Sequence, residues 1–172
     1  MLSARNLLDP ANGNTIVYPS QDMVLGIYYM TSVKPNAKGA GKRFSSCDEV
    51  IMAAEDGYID WQAEIKVPAP TESFEEGAFN AGDLITTTAG RIRFNAEMPE
   101  GVGFVNDRMG DKDLKKMIEH VYHTKGAWLT IQMLDAVKAC GYKNATFFGA
   151  TLSMEDIIIP DPAPICLGEH SY

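Results

Sequence analysis

"DKDLKKMIEHVYHTKGAWLTIQMLDAVKACG", residues 111–141, carries the clearest period in the chain. Leu114, Met117, Ile118, Val121 and Tyr122 recur at i, i+3, i+4, i+7 and i+8, the apolar face of an amphipathic helix that runs to Gly126. A second helix covers residues 127–140 and stops at Gly141, a residue suited to the left-handed turn that ends many helices. The tight Lys125-Gly126 junction predicts that the two helices pack as a pair.

Working back from this pair, the pattern changes from helical to extended. Residues 58–67, "YIDWQAEIKV", alternate as a strand does, and Pro68 and Pro70 end it. Residues 84–88 resume an extended pattern, while 91–95 read equally as strand or short helix before Pro99. Ser46 is placed to cap a helix running through Ala54 and stopped at Gly57. Between these elements, residues 32–44 read as a mobile basic loop and "APTESFEEGAFNAG", 69–82, as an acidic exposed loop or hairpin tip. The fold class expected is α+β, with mixed small β-sheet elements and a C-terminal helix pair.

The N-terminal stretch "NTIVYPSQDMVLGIYYMT", residues 14–31, adds a short strand over 15–18 and a turn at Pro19. Ser20 then stands where an N-cap belongs, and Asp22 suits the positive end of the helix dipole. The helix over 23–30 is apolar on nearly every face, which predicts burial all round in preference to an exposed surface awaiting a partner. Gln21 has no such local task.

The 172 residues suit one domain, and 45% hydrophobic with 22% charged residues is the composition of a folded globular chain. No apolar run spans a membrane and the N-terminus lacks a secretory core, so a cytoplasmic location is expected. Cys47, Cys140 and Cys166 are odd in number and widely spaced, which fits reduced thiols and not a disulfide framework or a zinc site. A net charge of −8 argues against a freestanding nucleic-acid binder, yet charge is uneven. Lys34, Lys38, Lys42 and Arg43 form one basic stretch, and Arg108, Lys112, Lys115 and Lys116 another.

Classical site signals are sparse. His120 and His123, three apart on a helix, have a spacing able to hold a metal, but no third ligand is dictated and a helix surface outweighs it. Cys140 reads as a core thiol before a nucleophile. "KGAGK", 38–42, lacks the Gly-Lys-Ser/Thr ending and following helix of a phosphate loop. The carboxylates are dispersed, and none stands out as half of an acid–base pair.

The strongest pointer is a resemblance. "LLDPANGNTIVYPSQDMVLGIYYMT" is similar to the segment that follows the active-site loop in the largest catalytic subunit of multisubunit RNA polymerases, the bacterial β′ family. "NAKGAG" (36–41), "TTAGRIRFN" (87–95) and "GATLSMEDIIIP" (149–160) continue the family's order, so the resemblance covers nearly all of the chain to Pro160. It implies that residues 1–160 are a segment of the pore, or secondary-channel, domain; the proline-rich tail 161–172 departs from the family and reads from its composition as poorly ordered.

The resemblance further implies a part in DNA-templated RNA synthesis: lining the pore through which nucleotides enter and supporting the active centre. Asn12, Ser20, Gln21 and Asp22 would lie nearest that centre, Arg91 and Arg93 would be candidates to face phosphates, and Glu155 and Asp156 would approach the channel rim. Implied partners are other β′ regions, the remaining polymerase subunits, and DNA, RNA and nucleoside triphosphates met through the complete enzyme, with no membrane. The family's Mg2+ is held by an Asp triad in a loop that this sequence does not contain. No catalytic or metal-binding residue is therefore assigned here, no cofactor is expected on this chain, and the chain alone is expected to be inert. The competing reading is a freestanding acidic protein-interaction domain. The polymerase reading, unlike it, predicts an exposed apolar patch near residues 1–8 and the 23–30 helix.

Overall fold

The computed structural model describes residues 6–11, 13, 15–70, 73–74, 82–151, 153–154 and 157. In chain order these form α1 (Asp22–Thr31), α2 (Cys47–Glu55), β1 (Glu64–Pro68), β2 (Leu84–Thr88), α3 (Ala89–Glu97), α4 (Asp111–Lys125) and α5 (Ala127–Phe148). The strands pair antiparallel with Ile65 opposite Thr87 and Val67 opposite Ile85. The α+β class with a C-terminal helix pair is what the sequence predicts. No helix among the described residues is long and apolar enough to cross a membrane.

Local chemistry accounts for the helix starts. Glu49 N–H donates to Ser46 Oγ at 3.2 Å, the expected cap of α2. Thr88 ends β2 and accepts from Arg91 N–H at 3.2 Å, so the chain turns from strand into α3 with no intervening loop. This cap resolves residues 91–95 as helix. At α4, Gly110 N–H donates to Asp113 Oδ2 at 3.2 Å, and Gly126, at φ +86, joins α4 to α5.

Two core clusters result. One joins Ile27 and Met30 of α1, Phe94 of α3, the α4 face Leu114, Met117, Ile118 and Val121, and Met133, Val137 and Cys140 of α5. The other packs α2 through Val50 and Ala54 against Ile65, Val67, Ile85 and Ile92. The α4 face that the sequence period marks is buried, and it supplies the first cluster together with α5.

Several boundaries differ from the sequence reading. Of residues 15–18 only Thr15 forms a bridge, to Leu8, because Pro19 and the preceding turn leave no length for a ladder. Residues 58–63 are turns that bring the chain out of α2, with Tyr58 N–H on Ala53 O and Ala63 N–H on Asp60 O, so β1 starts only at Glu64. The loop over 32–44 is laid along β1 by backbone bonds: Gly41 N–H to Glu64 O at 2.7 Å and Lys66 N–H to Lys42 O at 2.9 Å.

The fullest correction concerns α5, which passes through Gly141 to Phe148 and ends at Gly149 in left-handed geometry. Gly141 is a contact residue: a β-carbon there would lie 2.7 Å from the Met23 backbone. α1 is also not buried all round, since Leu25 and Tyr28 are each 39% exposed. The final turn after Ser153 and the tail at 161–172 fall largely or wholly outside the described residues.

Candidate functional site

The site that the sequence singles out is the start of α1. Met23 N–H donates to Ser20 O at 3.2 Å and Leu25 N–H to Gln21 O at 3.0 Å, which folds Ser20, Gln21 and Asp22 into a tight turn feeding the helix. Gln21, not Ser20, is the N-cap residue, with φ +52 and ψ −119, and no side-chain cap bond is made. Ser20 lies one residue too early because the chain reverses at Gln21. A positive φ disfavours a side chain with a β-carbon, so this turn holds local strain that the surroundings must maintain. All three side chains are exposed, and Asp22 occupies the first helical turn.

Two anchors fix this turn. Upstream, Tyr18 Oη donates to Glu119 Oε1 at 2.8 Å, and Lys115 Nζ stands 5.5 Å from the Tyr18 ring centre. Burial first, and the Glu119 carboxylate as well, raise the Tyr18 phenol above its ordinary pKa. Downstream, Gly26 lies against the Gly141 carbonyl, so that the buried face of α1 is seated on α5. The opposite face presents Gln21, Leu25 and Tyr28, spaced along one helix side, and the Arg108 guanidinium lies 5.0 Å over the Tyr28 ring. Sequence reading missed Tyr18, Glu119 and Arg108, whose partners are distant in the chain.

Arg91 and Arg93 both find partners within the fold. Arg91 donates from Nε to Thr31 O at 3.1 Å and from Nη1 to Asn106 O at 2.7 Å. Burial draws its guanidinium below the ordinary arginine value, against the pull of Asp107 and Glu64. Arg93 pairs with Glu55 at 2.8 Å and Glu97 at 3.1 Å, beside a cleft of about 390 Å³ also lined by Trp61 and Phe147. Since Arg91 binds the last residue of α1, it stands at the far end from Gln21, roughly 15 Å away for ten residues rising 1.5 Å each. Asn12, Glu155 and Asp156 lie outside the described residues.

His120 makes an edge contact with Phe74 and His123 with Tyr122, and among the described residues no three His, Cys, Asp or Glu side chains converge as a metal would require. At the α1 turn Asp22 is accompanied by a hydroxyl and an amide. That donor set does not fit a two-metal centre, which needs several carboxylates, and no catalytic step is assigned to it. Cys140 is buried with Asn144 Nδ2 3.4 Å from its sulfur, and burial pushes its thiol up to about 11, the state of a core cysteine.

Residues 6–157 match the family described as RNA polymerase Rpb1, domain 3. The chain is 54% identical over 162 residues to the DNA-directed RNA polymerase subunit beta' of Treponema pallidum, covering 94% of this chain and 11% of that protein. It is 54% identical to the same subunit of Treponema denticola over 93% of the chain, and 45% identical to that of Borreliella burgdorferi over 94%; each match covers 11% of the relative. The chain thus spans about a tenth of the length of these relatives. The α1 turn, the loop along β1, α3 and the helix pair all lie within the matched region, and the chain belongs to the RNA polymerase Rpb1 domain 3 family as a region of the bacterial β′ subunit.

Proposed function

We propose that this region lines the pore, or secondary channel, through which nucleotides enter a DNA-directed RNA polymerase, and that it supports the active centre during DNA-templated RNA synthesis. The observation that carries the reading is the Ser20–Gln21–Asp22 turn: a polar motif on a strained backbone, set on a helix whose other face is locked against α5. Polar groups fixed on a rigid element are suited to positioning a neighbouring chain or substrate. The exposed Leu25 and Tyr28, with Ile16 at 54% exposure, also support it as the apolar surface expected where neighbouring β′ regions would pack.

In this reading Gln21 presents its amide toward the RNA 3′ end or the backbone around it, while Asp22 serves its own helix. The partners are other β′ regions, the remaining polymerase subunits, DNA, RNA and nucleoside triphosphates, all met in the complete enzyme, whose Mg2+ is held elsewhere. Glu155 and Asp156 approach the channel rim. Isolated, the chain is inert.

The test is reconstitution of the segment into a compatible polymerase, followed by single-nucleotide addition. Gln21→Ala should slow addition while Asp22→Ala leaves it near the parent rate. Unchanged addition in both variants would remove the active-centre role and leave a structural one.

A further inference from the structure

Although the net charge is −8, two cations face each other in register on the sheet, on the face that also carries Glu64, and among the described residues neither is paired with a carboxylate. Residues 41–44 run parallel to β1, with Lys66 N–H on Lys42 O at 2.9 Å and Phe44 N–H on Lys66 O at 3.0 Å, so Arg43 is the register partner of Lys66. On its other side Lys66 is in register with Thr86 of β2. Register partners carry their side chains on the same face. Arg43, Lys66 and Thr86 thus form a row across the sheet, on the face opposite the buried Ile65, Val67 and Ile85.

Arg43 and Thr86 are exposed and Lys66 is half-buried. Among the described residues the ion pairs are Arg93 with Glu55 and Glu97, Lys115 with Asp111, and Lys138 with Asp135; neither Arg43 nor Lys66 is in one. Like charges in register across a sheet cost stability, and the chain has 23 acidic residues from which a partner could have come. Of the other lysines of the loop, Lys38 donates to Gly57 O at 2.6 Å and closes the end of α2, whereas Lys34 and Lys42 are exposed. In the second basic stretch, Lys115 is paired and Arg108 covers Tyr28.

A free phosphate is best held in a concavity of converging N–H groups. Two cations abreast on an open sheet face fit a line of phosphates instead. No aromatic ring stands in the row to stack on a base, so the contact it offers is to a backbone and is independent of sequence. We propose that the Arg43–Lys66 row contacts the phosphodiester backbone of a nucleic-acid strand in the assembled polymerase, an inference that rests on the function proposed above.

The test uses polymerase reconstituted with the subunit carrying this segment, binding a DNA–RNA scaffold over a salt series. Each phosphate contact contributes about 0.7–0.9 to the slope of log affinity against log salt. From 50 to 200 mM salt the parent should therefore lose about 7- to 12-fold more affinity than Arg43→Gln/Lys66→Gln. Arg43→Lys/Lys66→Arg should keep the parent slope. A photocrosslinker at Thr86 should capture RNA or DNA. An unchanged slope in the Gln variant, or capture of protein alone, overturns the row. Assembly and nucleotide addition by the parent enzyme are scored separately: if both are intact, an unchanged slope defeats this inference alone, and if both fail, the channel reading falls and the row with it.

Discussion

Gly26 of α1 and Gly141 of α5 meet where the two helices cross, and neither position has room for a β-carbon: the Gly141 carbonyl blocks one and the Met23 backbone the other. In an unhindered helix, replacing glycine by alanine gains about 1 kcal/mol of propensity. Here the obstacle is backbone, which cannot rotate aside as a side chain can. Gly26→Ala and Gly141→Ala should each destabilise the fold by about 1–3 kcal/mol, the usual range for overpacking, read as a lower urea midpoint with an unchanged slope. A stabilised Gly141→Ala would mean that the crossing is looser than described.

Gln21 separates strain from function. Its φ of +52 favours glycine. Gln21→Gly should leave stability unchanged or raise it by up to about 2 kcal/mol, since relief of strain worth about 1–3 kcal/mol offsets or outweighs glycine's entropy cost of about 0.5–1. The same variant should slow nucleotide addition in the reconstituted enzyme. A variant that is stable and slow locates the role of Gln21 in its amide; a variant of unchanged speed limits the residue to closing a turn.

Thr31 and Thr87 are both buried threonines with opposite expectations. Thr31 Oγ1 donates to Ile27 O at 2.8 Å and accepts Met109 N–H at 3.0 Å. Thr31→Val keeps the shape and strands the Met109 donor, a loss of about 1–3 kcal/mol. Thr87 Oγ1 is buried with no hydrogen-bond partner among the described residues, so Thr87→Val should be neutral or stabilising. Paired denaturation curves decide, and equal effects at the two sites would contradict the assigned hydrogen bonds.

Cys140 should give the fold an alkaline limit. Burial first, and Glu97 as well, favour its neutral thiol and raise its pKa to about 11 from an ordinary value near 9. The unfolded chain releases this proton earlier than the folded one. The thiol's contribution is therefore fully present below about pH 9 and is lost as pH rises through about 11, roughly 2–3 kcal/mol across that window. Stability measured against pH should fall more steeply for the parent than for Cys140→Ala over this range. Parallel curves would show the thiol to be hydrated in the folded state.

What the sequence made legible was whatever neighbouring residues decide. Ser46 and Thr88 cap helices through bonds three residues long, and the α4 face repeats at helical spacing, so α2 and α4 were readable and α3 required only its cap. Gly141 reads as a stop in the sequence because glycine has the same local signature whether it ends a helix or admits another one. The α1 turn was found as a motif, but its geometry was not, since a positive φ at Gln21 has no sequence mark. Tyr18, Glu119 and Arg108 were missed for the same reason: their roles arise from partners brought together by the fold. Arg91 and Arg93 stand out in the sequence only as candidates to face phosphates, and it is the packed structure that supplies Thr31, Asn106, Glu55 and Glu97 as their partners.

The seat of α1 on α5 also sets an order of events during synthesis. Met30 and Cys140, whose sulfurs approach to 3.9 Å, are 110 residues apart, and Tyr18 is 101 residues from Glu119. At about 5–20 residues per second, a ribosome needs roughly 5–20 s after making the α1 turn before the surface that holds it exists. For that interval the motif helix is a nascent segment with an uncovered apolar face, and loops of this length close late. The turn that carries the polar motif thus acquires its rigidity only when α5 arrives, which makes completion of α5 the folding checkpoint of the region.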